Sequence, residues 1–129
     1  MRTRQNVIDK LREIANISSG WTDLEKGDEF VFDENNIEKF IVKFNEYYPD
    51  DLPMPLAVAL FSGDIAFDWV IGEEIFILLD FDTHDTDLRS DLIQTNVSED
   101  YNYKDTLYLT RKEHWDILIG RVQKALGDS

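Results

Sequence analysis

Apolar residues recur every three or four positions in two early stretches of the chain, and then the rhythm changes to every second position. Val7, Ile8, Leu11, Ile14 and Ala15 fall on one side of a helix over residues 4–17, with charge on the other side. Ser18-Ser19-Gly20 is its expected stop, since Gly accepts the left-handed backbone that helix ends favour. A second stripe of Ile37, Phe40, Ile41, Phe44 and Tyr48 predicts a helix over 34–48. Asp33 or Asn35 can cap its start, and Pro49 ends it by forcing the preceding residue out of helical geometry. Between these helices, Phe30, Val31 and Phe32 form a candidate short extended piece.

From Leu56 the pattern is strand-like. Leu56 to Phe61 is apolar and is closed by the turn Ser62-Gly63-Asp64. Ile65, Phe67, Trp69 and Ile71 then alternate with Ala66, Asp68 and Val70, the period of a strand with one buried face. Gly72-Glu73-Glu74 turns the chain again. Ile75 to Phe81 is apolar almost throughout, which predicts a central strand buried on both faces. Short turns make these three strands an antiparallel meander. Beyond the polar segment 82–91, weaker strands are expected near 92–97 and 106–109, separated by the acidic loop SEDYNYKD.

The final helix carries Trp115, Leu118, Ile119, Val122 and Leu126 on one face, with Thr110 and Glu113 as a capping box and Gly127 as its end. The order α-α-β-β-β-β-β-α defines an α+β fold: helices from both ends of the chain packed on an antiparallel meander of about four to five strands. No linker or repeat divides the sequence, so residues 1–129 are expected to form one domain.

Composition narrows the function classes. With 43% hydrophobic and 12% aromatic residues the chain can bury a real core despite its charge. It has no cysteine, which removes disulfides and Cys-based zinc sites. The N-terminus is charged throughout, unlike a signal peptide, and no stretch is apolar enough to span a bilayer; a cytoplasmic location is expected. The net charge is −14, of which residues 14–110 hold −17 while both ends are slightly basic. Such a field repels nucleic acid and anionic lipid and attracts basic partners, although acidity also serves solubility alone.

Leu78-Leu79-Asp80-Phe81-Asp82 is an apolar strand ending in Asp-x-Asp, the arrangement with which magnesium-dependent phosphoryl-transfer enzymes hold a hard cation. It resembles the haloacid dehalogenase motif but departs from it at His84 and in lacking the parallel α/β units that follow. Asp85 stands where an EF-hand loop needs Gly. His84 and His114 have no ligand or base at a recognised spacing, and no serine lies in a G-x-S-x-G elbow. Six scattered glycines build no phosphate loop. No catalytic set, metal site or cofactor is called for; a magnesium-dependent phosphoryl-transfer or hydrolytic enzyme on Asp80 and Asp82 stays as the alternative.

The acids gather in two groups. One runs from Asp23, Glu25, Asp28 and Glu29 into Asp33, Glu34 and Glu38. The other joins Asp80, Asp82, Asp85, Asp87, Asp91, Glu99, Asp100 and Asp105, interleaved with Tyr101, Tyr103 and Tyr108. Carboxylates speed encounter with a basic protein, and tyrosine offers large contact area at low entropic cost. Asp80, Asp82, Asp85, Asp87, Glu99, Asp100, Tyr101 and Tyr103 are therefore the expected partner-binding residues. The competing reading makes the acids a solvated rim and the tyrosines a core edge.

PMPLAVALFSGDIAFDWVIG, residues 53–72, resembles a strand-turn-strand pattern of small bacterial proteins of unknown function, and implies the meander and a prokaryotic origin. Size, acidity, missing cysteine and α+β layout together resemble the immunity and antitoxin-like proteins that neutralise bacterial toxins. That resemblance implies a non-enzymatic inhibitor whose partner is a basic protein such as a nuclease, with no direct binding of nucleic acid. A nucleic-acid mimic that blocks a DNA-binding protein is a further alternative.

Overall fold

A computed structural model of the chain describes residues 2–21, 32–60 and 62–128, with side chains at all of these except 17–21 and Tyr101. Phe61 and residues 22–31, which include Asp23, Glu25, Asp28, Glu29, Phe30 and Val31, lie outside the described residues. The elements are α1 (Arg4–Trp21), α2 (Glu34–Tyr47), β1 (Leu56–Ala59), β2 (Asp64–Ile71), β3 (Ile75–Asp82), β4 (Arg89–Asn96), β5 (Tyr101–Tyr108) and α3 (Lys112–Asp128). The fold is α+β, with the strands in the sheet order β1-β2-β3-β4-β5, each antiparallel to its sequence neighbour.

Helix α1 buries Val7, Ile8, Leu11, Ile14 and Ala15, the stripe its spacing predicts. It does not stop at Ser18-Ser19-Gly20 but runs on to Trp21. These residues weaken a helix by at most about 1 kcal/mol each, whereas proline would break it, so the helix continues through them. Its start is held by a reciprocal pair: Asn6 N–H donates to Thr3 Oγ1 at 3.2 Å, and Thr3 N–H to Asn6 Oδ1 at 2.9 Å. In α2 the cap is Asp33, whose carboxylate accepts the Asn36 N–H at 2.9 Å. The Asn36 amide, itself buried, donates to the Thr83 carbonyl at 2.8 Å.

The core lies between the helices and one face of the sheet. Phe40 of α2 stacks on Phe67 of β2 and Phe81 of β3, with ring centroids 4.8 Å apart in both pairs, and Trp115 of α3 tilts against it at 5.4 Å. Trp115 is sealed from solvent, and its indole N–H donates to the Leu109 carbonyl at 2.7 Å. Gly63 (φ 87°) and Gly72 (φ 63°) occupy the left-handed positions that the turns flanking β2 require.

Several expectations need correction. Strand β3 is central, yet only Ile75, Ile77, Leu79 and Phe81 are buried, while Phe76 is exposed and Leu78 half-buried. The helices cover one face, so its apolar run is not a sign of burial on both. Strands β4 and β5 begin earlier than their apolar residues indicate, because pairing with β3 and with each other extends them through polar positions. Most of the expected loop SEDYNYKD is thus strand: a short 3-10 turn at Val97–Glu99 and a left-handed Asp100 (φ 51°) lead straight into β5. Helix α3 starts two residues after Thr110, whose hydroxyl reaches the Asp87 carbonyl at 3.5 Å, so Thr110 is not its cap. The helix includes Gly127, and it buries Ala125 while Leu126 is exposed.

Candidate functional site

The strand register sorts every residue of the sheet to one of two faces. Opposite the helices, β2 presents Asp64, Ala66, Asp68 and Val70, and β3 presents Phe76, Leu78, Asp80 and Asp82. Across from these, β4 adds Arg89, Asp91, Ile93 and Thr95. Asp64 pairs with Asp82, and Asp80 lies between Ala66 of β2 and Asp91 of β4. Three adjacent strands therefore crowd Asp64, Asp80, Asp82 and Asp91 at one end of this outer face. Residues directly opposite in a sheet are only about 5 Å apart, so these charges repel one another.

The electrostatics record that crowding. The Asp64 carboxyl is pushed up from its ordinary 3.8 to about 7, first by burial, then by its hydrogen bond with Asp80 and by the charges of Asp80, Asp82 and Asp91. One Asp80 carboxylate oxygen, Oδ1, is buried without a hydrogen-bond donor among the described residues. Asp91 is better served: Thr106 Oγ1 donates to it at 3.0 Å and Arg89 lies 3.9 Å away. Asp68 is also raised, by burial between apolar neighbours.

The other end of the outer face is apolar. Val70 is 64% exposed, Leu56 44% and Phe76 42%, an unusual exposure for large hydrophobic residues side by side on paired strands. Beside them lies a hollow of about 500 Å³ between the start of β1 and the middle of β3, with Arg2 on its rim.

The eight residues expected to bind a partner divide between four places. Asp80 and Asp82 lie on the outer face, and Asp85 and Asp87 in the loop that adjoins it. In that loop Asp82 accepts the His84 N–H at 2.9 Å and Asp85 accepts the Asp87 N–H at 2.8 Å, so part of their job is local turn formation. The loop is anchored by Thr83, whose buried hydroxyl donates to the Gly63 carbonyl at 2.7 Å, and by Leu88, whose side chain is sealed in the core. Glu99 and Asp100 sit at the turn between β4 and β5, the opposite end of the sheet, about 23 Å away for strands of this length. Tyr101 begins β5, and its side chain lies outside the described residues.

Tyr103 faces the helices. It pairs with Gln94 on the inner face, packs half-buried against the core, and has the Arg121 guanidinium 3.3 Å above its ring. Tyr103 is therefore a core-edge residue, a consequence of β5 starting early and fixing the side on which each residue falls. Asp64 and the apolar group Leu56, Val70 and Phe76 lie outside the sequence expectation, and Asp91 belongs to the second acidic group but not to the expected partner-binding residues. Parity along β2 and β3 was the available signal: residues opposite Ile65, Phe67, Trp69 and Ile71 must share the other face.

Among the described residues, no group of three or more His, Asp or Glu side chains is arranged to hold a metal ion. No helix among them is long and apolar enough to cross a membrane. The chain matches no protein-family model, no curated protein and no solved structure.

Proposed function

We propose that this chain is a non-enzymatic binding protein of the immunity or antitoxin kind, acting in the cytoplasm to neutralise a basic protein such as a nuclease toxin. The observation that supports this reading best is the crowding of Asp64, Asp80, Asp82 and Asp91 on a sheet face with no helix of the described residues packed on it. A nuclease binds phosphates with a cationic surface, and closely set carboxylates on a rigid sheet present that surface with a competing array of negative charge. The overall charge of −14 adds long-range attraction, which raises the rate of encounter.

The test begins with cross-linking in the native cells and purification of the captured partner. The partner should carry net positive charge. Its activity should fall to background at one equivalent of this chain, and association should slow steeply with added salt. Full activity of the partner in a saturated complex, or a partner that is itself acidic, would end this reading.

A further inference from the structure

The outer sheet face combines two features that a solvated surface does not need together. Large apolar residues stand exposed at one end, and at the other, carboxylates are packed closely enough that one keeps its proton near neutrality. We infer that this face, and not the acidic loops at the ends of the sheet, is the docking surface, and that it takes a protein element bearing arginine beside apolar side chains. The arginine would sit against Asp64 and Asp80, and the apolar residues on Leu56, Val70 and Phe76. The inference rests on the basic-partner reading above and deepens it.

Charge chooses the occupant. The face carries Asp64, Asp68, Asp80, Asp82 and Asp91 against Arg89 and Lys104, so it is acidic, and a second copy with the same −14 would be repelled. Arginine fits the acidic end by shape. Its planar guanidinium presents five donors in a fixed fork, enough to serve carboxylates from neighbouring strands. A guanidinium beside Asp64 would also displace the proton held there. Binding should then release a proton, and affinity should rise from about pH 6 to about pH 8 as Asp64 ionises in the free protein.

Two synthetic amphipathic peptides test this, identical in their leucines but carrying arginine in one and glutamate in the other. Each is titrated into the isotopically labelled full chain, and amide shifts are followed by NMR. The arginine peptide should move amides along β2, β3 and β4, and the glutamate peptide should move none. Asp80→Asn and Phe76→Ser should each weaken binding by about tenfold, and the Asp85→Asn/Asp87→Asn variant by no more than about twofold. Asp64→Asn should abolish the pH dependence. Circular dichroism checks that each variant is folded. Shifts confined to residues 83–88 or 97–100 would overturn the sheet-face inference and leave the basic-partner reading standing. Equal response to both peptides, or to neither, would overturn both. A concentration-dependent dimer that hides these amides would assign the face to a second copy and overturn the inference alone.

Discussion

On the side of the helices β3 presents Ile75, Ile77, Leu79 and Phe81, all buried; one residue along, the opposite side presents Phe76, Leu78, Asp80 and Asp82, none of them sealed. The same strand, with the same hydrogen bonds, thus serves two surfaces of opposite character. Stability explains the first. Packed rings from α2, the sheet and α3 remove a large apolar area from water, the dominant favourable term in folding. Stability does not explain the second, where carboxylates are set close and hydrophobic residues are left wet. The contrast shows that in this protein the fold is held from one side of the sheet, which leaves the other free to vary without unfolding the chain.

The comparison breaks if substitutions on the two faces cost alike. The largest effect is expected at Trp115, where Trp115→Ala opens a cavity among Phe40, Phe44 and Tyr47 and should cost about 3–5 kcal/mol by chemical denaturation. A loss under about 1 kcal/mol would place the real core elsewhere. Next comes Thr83→Val, which keeps the shape but removes the hydroxyl joining the loop after β3 to the Gly63 carbonyl and to the Asp33 N–H. Its expected cost is about 1–3 kcal/mol, since buried polar groups are left unpaired.

On the outer face the sign reverses. Folded Asp64 holds its proton more tightly than the unfolded chain does, so the stability it contributes is complete below 3.8 and lost as pH rises towards about 7. Asp64→Asn should therefore raise the thermal midpoint at about pH 8 and have little effect at about pH 4, as scanning calorimetry can show. The smallest change is expected at Phe76→Ser, within about 0.5 kcal/mol of the parent despite the loss of an aromatic ring. A cost near that of Trp115→Ala would mean that the outer face is a second core.

How much of this was legible in the sequence depended on whether the signal was local. The stripe of α1 and the glycine turns around β2 depend on residues close together in the chain and are legible in it, while for the α2 cap the sequence offers both Asp33 and Asn35 and the structure has Asp33. The beginnings of β4 and β5 were missed because Arg89, Asp91, Asn102 and Lys104 have no apolar rhythm; pairing with a neighbour makes them strand. The acidic end shows the same limit. Asp80 and Asp82 were found because they follow an apolar run, whereas Asp64 and Asp91 reach them only through the register of separate strands. Read as a loop, residues 98–105 make Tyr103 an exposed anchor, since a loop has no parity to send a side chain inward; as part of β5 it pairs with Gln94 on the inner face.

The meander also has a consequence in time. Because every strand pairs with the one just before it, the sheet can grow by successive hairpins, each closing only a short length of chain. Contacts that are near in sequence are made early and cheaply in entropy, so topologies of this kind reach the native state faster than those that must first bring distant strands together. In this sheet no strand has to wait for a far part of the chain: once β2 and β3 have met, each later strand finds its edge already waiting.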